Sequence, residues 1–195
     1  SIIASSGISL GGFLIKRVLD DVTRELPAIK TAATLSPLPG FRKWLEGLIE
    51  TDGQSVFTAT EQRALKDVAR SRIDEGGGIL SLLASAWQRD NELVGALRQP
   101  LTRLGAIYLL TARNSLNEPS DRVARFHLSN GARVERINFL ADSSQQGMQQ
   151  SFGMMVNYRY KPGDIEANHE AFKGAKHIAA SSAVKSLLSR RERLR

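Results

Sequence analysis

A chain of 195 residues, 42% hydrophobic and 24% charged, is long enough for one globular domain with a real core, or one large domain with an appendage. The absence of cysteine excludes disulfides, thiolate nucleophiles and cysteine-ligated metals, and agrees with a reducing compartment. Much of the net charge of +7 sits in the tail, where Lys173 to Arg195 carries seven basic residues against the single acid Glu192, so the body is nearly neutral and the tail reads as a solvated helix end rather than a nucleic-acid interface.

The chain opens on a short apolar run, Ile2-Ile3-Ala4, with no basic segment before it. It is therefore read without a secretory signal, and no run reaches the ~18 apolar residues needed to span a bilayer. Ser5-Ser6-Gly7-Ile8-Ser9-Leu10-Gly11-Gly12 follows. A long amphipathic run beginning near Gly12 comes next, with Leu14, Ile15, Val18, Leu19, Val22 and Leu26 on one face, and Pro27 stops it. Strand, glycine-rich turn and helix N-terminus bring free N–H groups and the positive end of a helix dipole to one spot, which suits a phosphate or pyrophosphate. The spacing is neither a Walker A loop nor a dinucleotide fingerprint, and a plain structural turn is an equal reading.

Ile29 to Leu35 is rich in small and β-branched residues and reads as a strand. It would lie parallel to the first, in a βαβ unit whose ligand sits beyond the carboxyl ends of the strands. Ser36, in Ser36-Pro37-Leu38-Pro39-Gly40-Phe41, would then sit beside the glycine turn, although a serine before proline is ordinarily a turn residue. Residues 40–110 read as a helical insertion. Pro39 opens a helix with Trp44, Leu45, Leu48 and Ile49; Thr58-x-x-Glu61 forms a capping box before a helix through Val68; helices over Ile79–Trp87 and Glu92–Leu110 follow, the second bent at Pro100.

Asp121 to Ala132 has two readings. Asn130-Gly131 could turn a hairpin, or Asp121 could cap a short helix that Gly131 ends in left-handed geometry. Arg133–Ala141 and Gly153–Tyr160 read as strands, and Phe172–Leu188 as a final amphipathic helix. The three histidines, His127, His169 and His177, have no metal-ligand spacing. His127 stands among Phe126 and Leu128, where a hydrogen-bonded core ring and a catalytic ring are both open readings. With no acid beside Ser36 or His127 in the sequence, a hydrolase triad cannot be argued.

Five co-ordered segments resemble the catalytic domain of the malonyl-CoA decarboxylase family. They are Gly7-x-x-Leu10-Gly11-x-Phe13-Leu14-Ile15-Lys16-Arg17-Val18, Leu35-Ser36-Pro37-Leu38-Pro39-Gly40-Phe41-x-Lys43-Trp44-Leu45, Phe126-His127-Leu128-x-Asn130-Gly131-Ala132, Arg136-Ile137-Asn138-Phe139-x-Ala141-Asp142 and Asn157-Tyr158-Arg159-Tyr160. The resemblance implies one catalytic domain over 1–195, α+β or α/β, with the mixed sheet and flanking helices of the GCN5-related N-acetyltransferase (GNAT) fold. The family's N-terminal helical domain and first strands have no counterpart here, so the chain is expected to be an N-terminally truncated piece. The resemblance also favours the helical reading of Asp121–Ala132. It implies that Ser36, His127 and Tyr160 are catalytic and that Ser6, Gly7, Ile8, Ser9, Leu10, Gly11 and Gly12 hold the CoA pyrophosphate. Some family members carry an acidic residue where Ser9 stands.

The implied reaction is conversion of malonyl-CoA to acetyl-CoA and CO2 with no metal and no cofactor beyond the CoA thioester itself. The implied setting is a cytoplasmic, bacterial-type homo-oligomer of the full-length protein, without nucleic-acid or membrane partners and without a C-terminal peroxisomal signal. An acyltransferase, or a fragment that binds CoA esters without turnover, are the alternatives on the same fold.

Overall fold

The computed structural model describes residues 10–69, 78–189 and 192. Its elements in chain order are α1 (Leu10–Glu25), β1 (Ala32–Pro37), α2 (Phe41–Asp52), α3 (Ala59–Ala69), α4 (Ile79–Ala84), α5 (Asn91–Thr111), α6 (Arg122–Ser129), β2 (Arg133–Asn138), α7 (Gln145–Ser151), β3 (Met155–Tyr160), α8 (Ile165–Ala175) and α9 (Ser182–Ser186), with 3-10 turns at Gly53–Val56, Trp87–Arg89 and Pro162–Asp164. No helix among the described residues is long and apolar enough to cross a membrane.

The architecture is α+β. The described strands form a three-stranded sheet in the order β1-β3-β2. Both pairings are antiparallel, with Thr34 opposite Tyr158 and Ser36 opposite Val156 on one side of β3, and Val134 opposite Tyr158 and Ile137 opposite Val156 on the other. Side chains alternate across a strand, so β3 sends Val156, Tyr158 and Tyr160 into the core. A register shift between Val134 and Arg136 accommodates one extra residue. Residues 179–181 run parallel along the free side of β2 through Val134 N–H to the Ala179 carbonyl and Ser181 N–H to the Val134 carbonyl, each 2.9 Å.

The helical block packs through Phe41 and Leu45 of α2 and Leu97, Leu101 and Leu104 of α5, all fully or almost fully buried with Leu38, Phe152, Val156 and Tyr158. Each such side chain stabilises the fold by about 1.5–3 kcal/mol through area removed from water. The capping box forms as the sequence predicts: Thr58 N–H donates to Glu61 Oε2 at 2.8 Å and Glu61 N–H to Thr58 Oγ1 at 3.2 Å. Glu61 also takes a two-pronged contact from buried Arg103, at 2.9 and 2.7 Å, and Arg103 reaches Glu192 at 2.6 Å.

Several expectations are corrected. The expected second strand runs from Ala32 to Pro37 rather than from Ile29 to Leu35 and pairs antiparallel with β3, while the first strand, Ile2-Ile3-Ala4, and with it the expected parallel pairing of the two, lies outside the described residues. Pro39 lies just before α2, with Gly40 at the cap. The helix expected to reach Trp87 ends at Ala84, and Trp87 heads a 3-10 turn. The expected final helix is two helices, because Lys176 adopts a left-handed φ of 53° that closes α8 well before α9 begins. The short helix α7 lacks the apolar periodicity that announces a helix; Ser144 Oγ caps it by accepting from Gly147 N–H at 3.0 Å. The hairpin reading of Asn130-Gly131 gives way to helix α6. Gly131 has φ +79°, and a Cβ there would strike the Ile165 carbonyl, so both conformation and space demand glycine.

Candidate active site

Three side chains converge on one face of the sheet. Ser36 sits one residue before the end of β1, Tyr160 ends β3, and His127 hangs from α6. Ser36 Oγ lies 3.0 Å from His127 Nε2, and His127 Nδ1 lies 2.7 Å from the Tyr160 hydroxyl. Ser36 in turn donates to Thr34 Oγ1 at 2.9 Å. One direction satisfies every group in the row: Tyr160 O–H donates to Nδ1, Nε2–H donates to Ser36 Oγ, and the Ser36 hydroxyl donates to Thr34.

The local structure explains the geometry. Period-two alternation puts Thr34 and Ser36 on one face of β1, and Tyr158 and Tyr160 on the matching face of β3. The imidazole stacks on Tyr158, with ring centroids 4.3 Å apart and planes 19° from parallel. Asp121 caps α6, its Oδ1 accepting from Val123 N–H and Ala124 N–H at 2.9 Å each. His127 falls in the last turn of that helix.

The ring is only 7% exposed, and burial pushes its pKa down from 6.5 to about 4. It is therefore neutral at pH 7. Burial also lifts the Tyr160 hydroxyl well above its ordinary 10, so the group behind Nδ1 is a neutral phenol. This separates the row from a hydrolase triad, where a carboxylate behind the imidazole stabilises its cation. The arrangement suits a serine that orients a ligand by hydrogen bonding and a histidine that holds or moves one proton at Nε2.

Of the residues singled out by sequence, the structure brings Ser36, His127 and Tyr160 together. Ser6, Gly7, Ile8 and Ser9 lie outside the described residues. Leu10, Gly11 and Gly12 form the first turn of α1, which starts two residues before the Gly12 that the periodicity predicts, and the N–H groups of such a turn have no intrahelical partner. Thr34 and Tyr158 escaped sequence reasoning, although stepping back two residues from Ser36 and from Tyr160 along a strand reaches both. Among the described residues no group of three or more His, Asp and Glu is placed to hold a metal. His169 Nδ1 is bonded to the Ser129 carbonyl at 2.6 Å, away from the row.

The chain is similar to known proteins over most of its length. The family model described as malonyl-CoA decarboxylase C-terminal domain matches residues 4–195. The malonyl-CoA decarboxylase, mitochondrial, of Anser anser anser is 41% identical over 191 residues, and that of Rattus norvegicus 40% over 192, each match covering 94% of this chain. The chain spans 37% and 38% of the length of those two relatives. Two crystal structures are similar. Malonyl-CoA decarboxylase from Rhodopseudomonas palustris has 44% identity and a TM-score of 0.78 over 94% of this chain and 39% of that one. The enzyme from Agrobacterium vitis has 41% identity and a TM-score of 0.78 over 95% and 42%. With a match over almost its whole length, the chain belongs to the malonyl-CoA decarboxylase family and corresponds to its C-terminal domain.

Proposed function

We propose that this chain carries the reaction centre for decarboxylation of malonyl-CoA to acetyl-CoA and CO2. The observation that carries the reading is the buried row Ser36–His127–Tyr160, with a neutral imidazole between two hydroxyls. The C2–carboxylate bond breaks, its electron pair enters the thioester as an enolate, and a proton is added at C2. The thioester is the electron sink, so the chemistry calls for no metal.

Ser36 orients the malonyl carboxylate, Tyr160 holds the imidazole through Nδ1, and His127 delivers the proton from Nε2. A bound anion beside the buried ring favours its protonated form, so proton supply rises where negative charge develops. The glycine stretch from Gly7 to Gly12 binds the CoA pyrophosphate through backbone N–H groups at the start of α1. The reading includes the acetyltransferase-like fold, supported by the antiparallel order β1-β3-β2 and by a helix that begins within the glycine stretch, at Leu10. It also includes a cytoplasmic homo-oligomer of a longer polypeptide.

The test is CO2 release from malonyl-CoA by the parent chain, Ser36→Ala and His127→Asn. Losses of about 10²- to 10⁴-fold in kcat are expected for a positioned proton donor. Unimpaired turnover in both variants refutes the roles. Binding of malonyl-CoA without CO2 release by the parent marks a binding fragment instead.

A further inference from the structure

Asp121 is 2% exposed, and its two oxygens face different elements. Oδ1 accepts from the first amides of α6, the helix that carries His127. Oδ2 faces Gly40 N–H and the Tyr108 hydroxyl, each at 3.4 Å. Gly40 lies four residues after Ser36 in a segment stiffened by Pro37 and Pro39, with Leu38 between them fully buried. A Cβ on Gly40 would strike the Tyr108 hydroxyl, so the backbone approaches this cluster as only glycine permits. Tyr158 closes the arrangement from the other side. Its ring stacks on the imidazole, and its hydroxyl is buried without a hydrogen-bond partner among the described residues, within electrostatic reach of Asp121 and Tyr108.

Capping alone does not account for a carboxylate here. Serine or threonine caps a helix about as well, and a buried carboxylate bears a desolvation cost that a hydroxyl does not. Burial raises the Asp121 pKa, while contacts with Ala124, Gly40, Val123 and Tyr108 pull it back. What the carboxylate adds over a hydroxyl is the second oxygen. We propose that Asp121 is the positioning residue that keeps Ser36 and His127 at hydrogen-bonding distance, by tying the loop after β1 to the N-terminus of α6. The inference rests on the decarboxylation reading for its kinetic consequence only.

The experiment uses the full chain and compares the parent with Asp121→Ser, which keeps a cap oxygen and removes the link to Gly40 and Tyr108. The imidazole ¹⁵N and ¹H resonances of His127 are read in the free protein, and kcat and KM for malonyl-CoA are read in parallel. Asp121→Ser is expected to move the ring resonances toward those of a free imidazole while backbone amide dispersion is kept. Its kcat should fall by about 10- to 100-fold, the cost of misplacing a reacting group by about 1 Å, with KM within about twofold. Asp121→Asn keeps the two-sided shape and should recover part of kcat. Ring resonances and kcat equal to the parent's in Asp121→Ser overturn the proposal, as does a loss confined to thermal stability. Should Asp121→Ser not fold, Tyr108→Phe removes one partner of Oδ2 and should shift the same ring resonances by less; unchanged resonances there overturn it equally. If the parent releases no CO2, the decarboxylation reading fails while the ring resonances still decide the positioning role.

Discussion

Ser36 and His127 are 91 positions apart in sequence, yet Ser36 Oγ and His127 Nε2 meet at 3.0 Å in a buried hydrogen bond. Thr34 accepts from the same serine hydroxyl, so it sets where that hydroxyl points before a ligand arrives. Thr34→Val keeps the shape and removes the acceptor. It is expected to lower kcat for CO2 release several-fold, within the range of about 0.5–1.5 kcal/mol for one neutral hydrogen bond, with KM little changed. Steady-state kinetics on malonyl-CoA checks it.

The neutral, buried imidazole makes stability depend on pH in a predictable direction. The folded-state pKa of about 4 lies below the ordinary 6.5, so the unfolded chain binds the extra proton between those values. His127 therefore contributes its full share above about pH 6.5, and that share is lost as pH falls toward 4, amounting to at most about 3 kcal/mol from 1.36 kcal/mol per pKa unit. Urea unfolding at pH 7.5 and pH 5 should show a smaller difference for His127→Gln than for the parent. An equal difference refutes the assignment.

Tyr160→Phe removes the partner of Nδ1. The ring then loses the group that selects which nitrogen carries the proton. The expected outcome is a fall in kcat of about 10-fold or more, as for loss of a group that supports proton transfer. It should be accompanied by a mixture of ring tautomers in the ¹⁵N spectrum of the free protein.

Arg103 joins α3, α5 and the C-terminal segment through Glu61, Glu192 and the Val56 carbonyl. Arg103→Ala strands the buried Glu61 carboxylate and should destabilise by about 3–5 kcal/mol. Glu192→Gln leaves the Glu61 contact intact and should cost far less. Chemical denaturation of both variants provides the comparison, and similar losses would refute the ranking.

Gly131→Ala meets two obstacles together, a left-handed φ of 79° and the Ile165 carbonyl. A loss of about 2 kcal/mol or more is expected. Gly47→Ala, at a half-buried position of α2 where a Cβ would meet nothing within 4 Å among the described residues, should be neutral or stabilising, because a helix interior favours alanine over glycine by about 0.5–1 kcal/mol. Thermal unfolding of the pair tests the contrast.

The sequence by itself determined the local events. Thr58 and Glu61 cap a helix because both partners lie within one turn, whereas Asp121 and Gly131 left a helix and a hairpin both open until the family motifs favoured the helix that the structure shows. Apolar spacing located α2, α3 and α5, and the ordered motifs pointed to Ser36, His127 and Tyr160. Local signals failed where no periodicity existed, as in α7, and where a single left-handed residue, Lys176, cut an otherwise continuous amphipathic pattern. Only the tertiary structure decided that β1 runs antiparallel to β3, that Tyr158 lies flat against the imidazole, and that the ring is buried deeply enough to stay neutral. These depend on strand pairing and desolvation between segments more than 30 residues apart, and no local spacing encodes which backbone a strand pairs with or how much water a side chain loses.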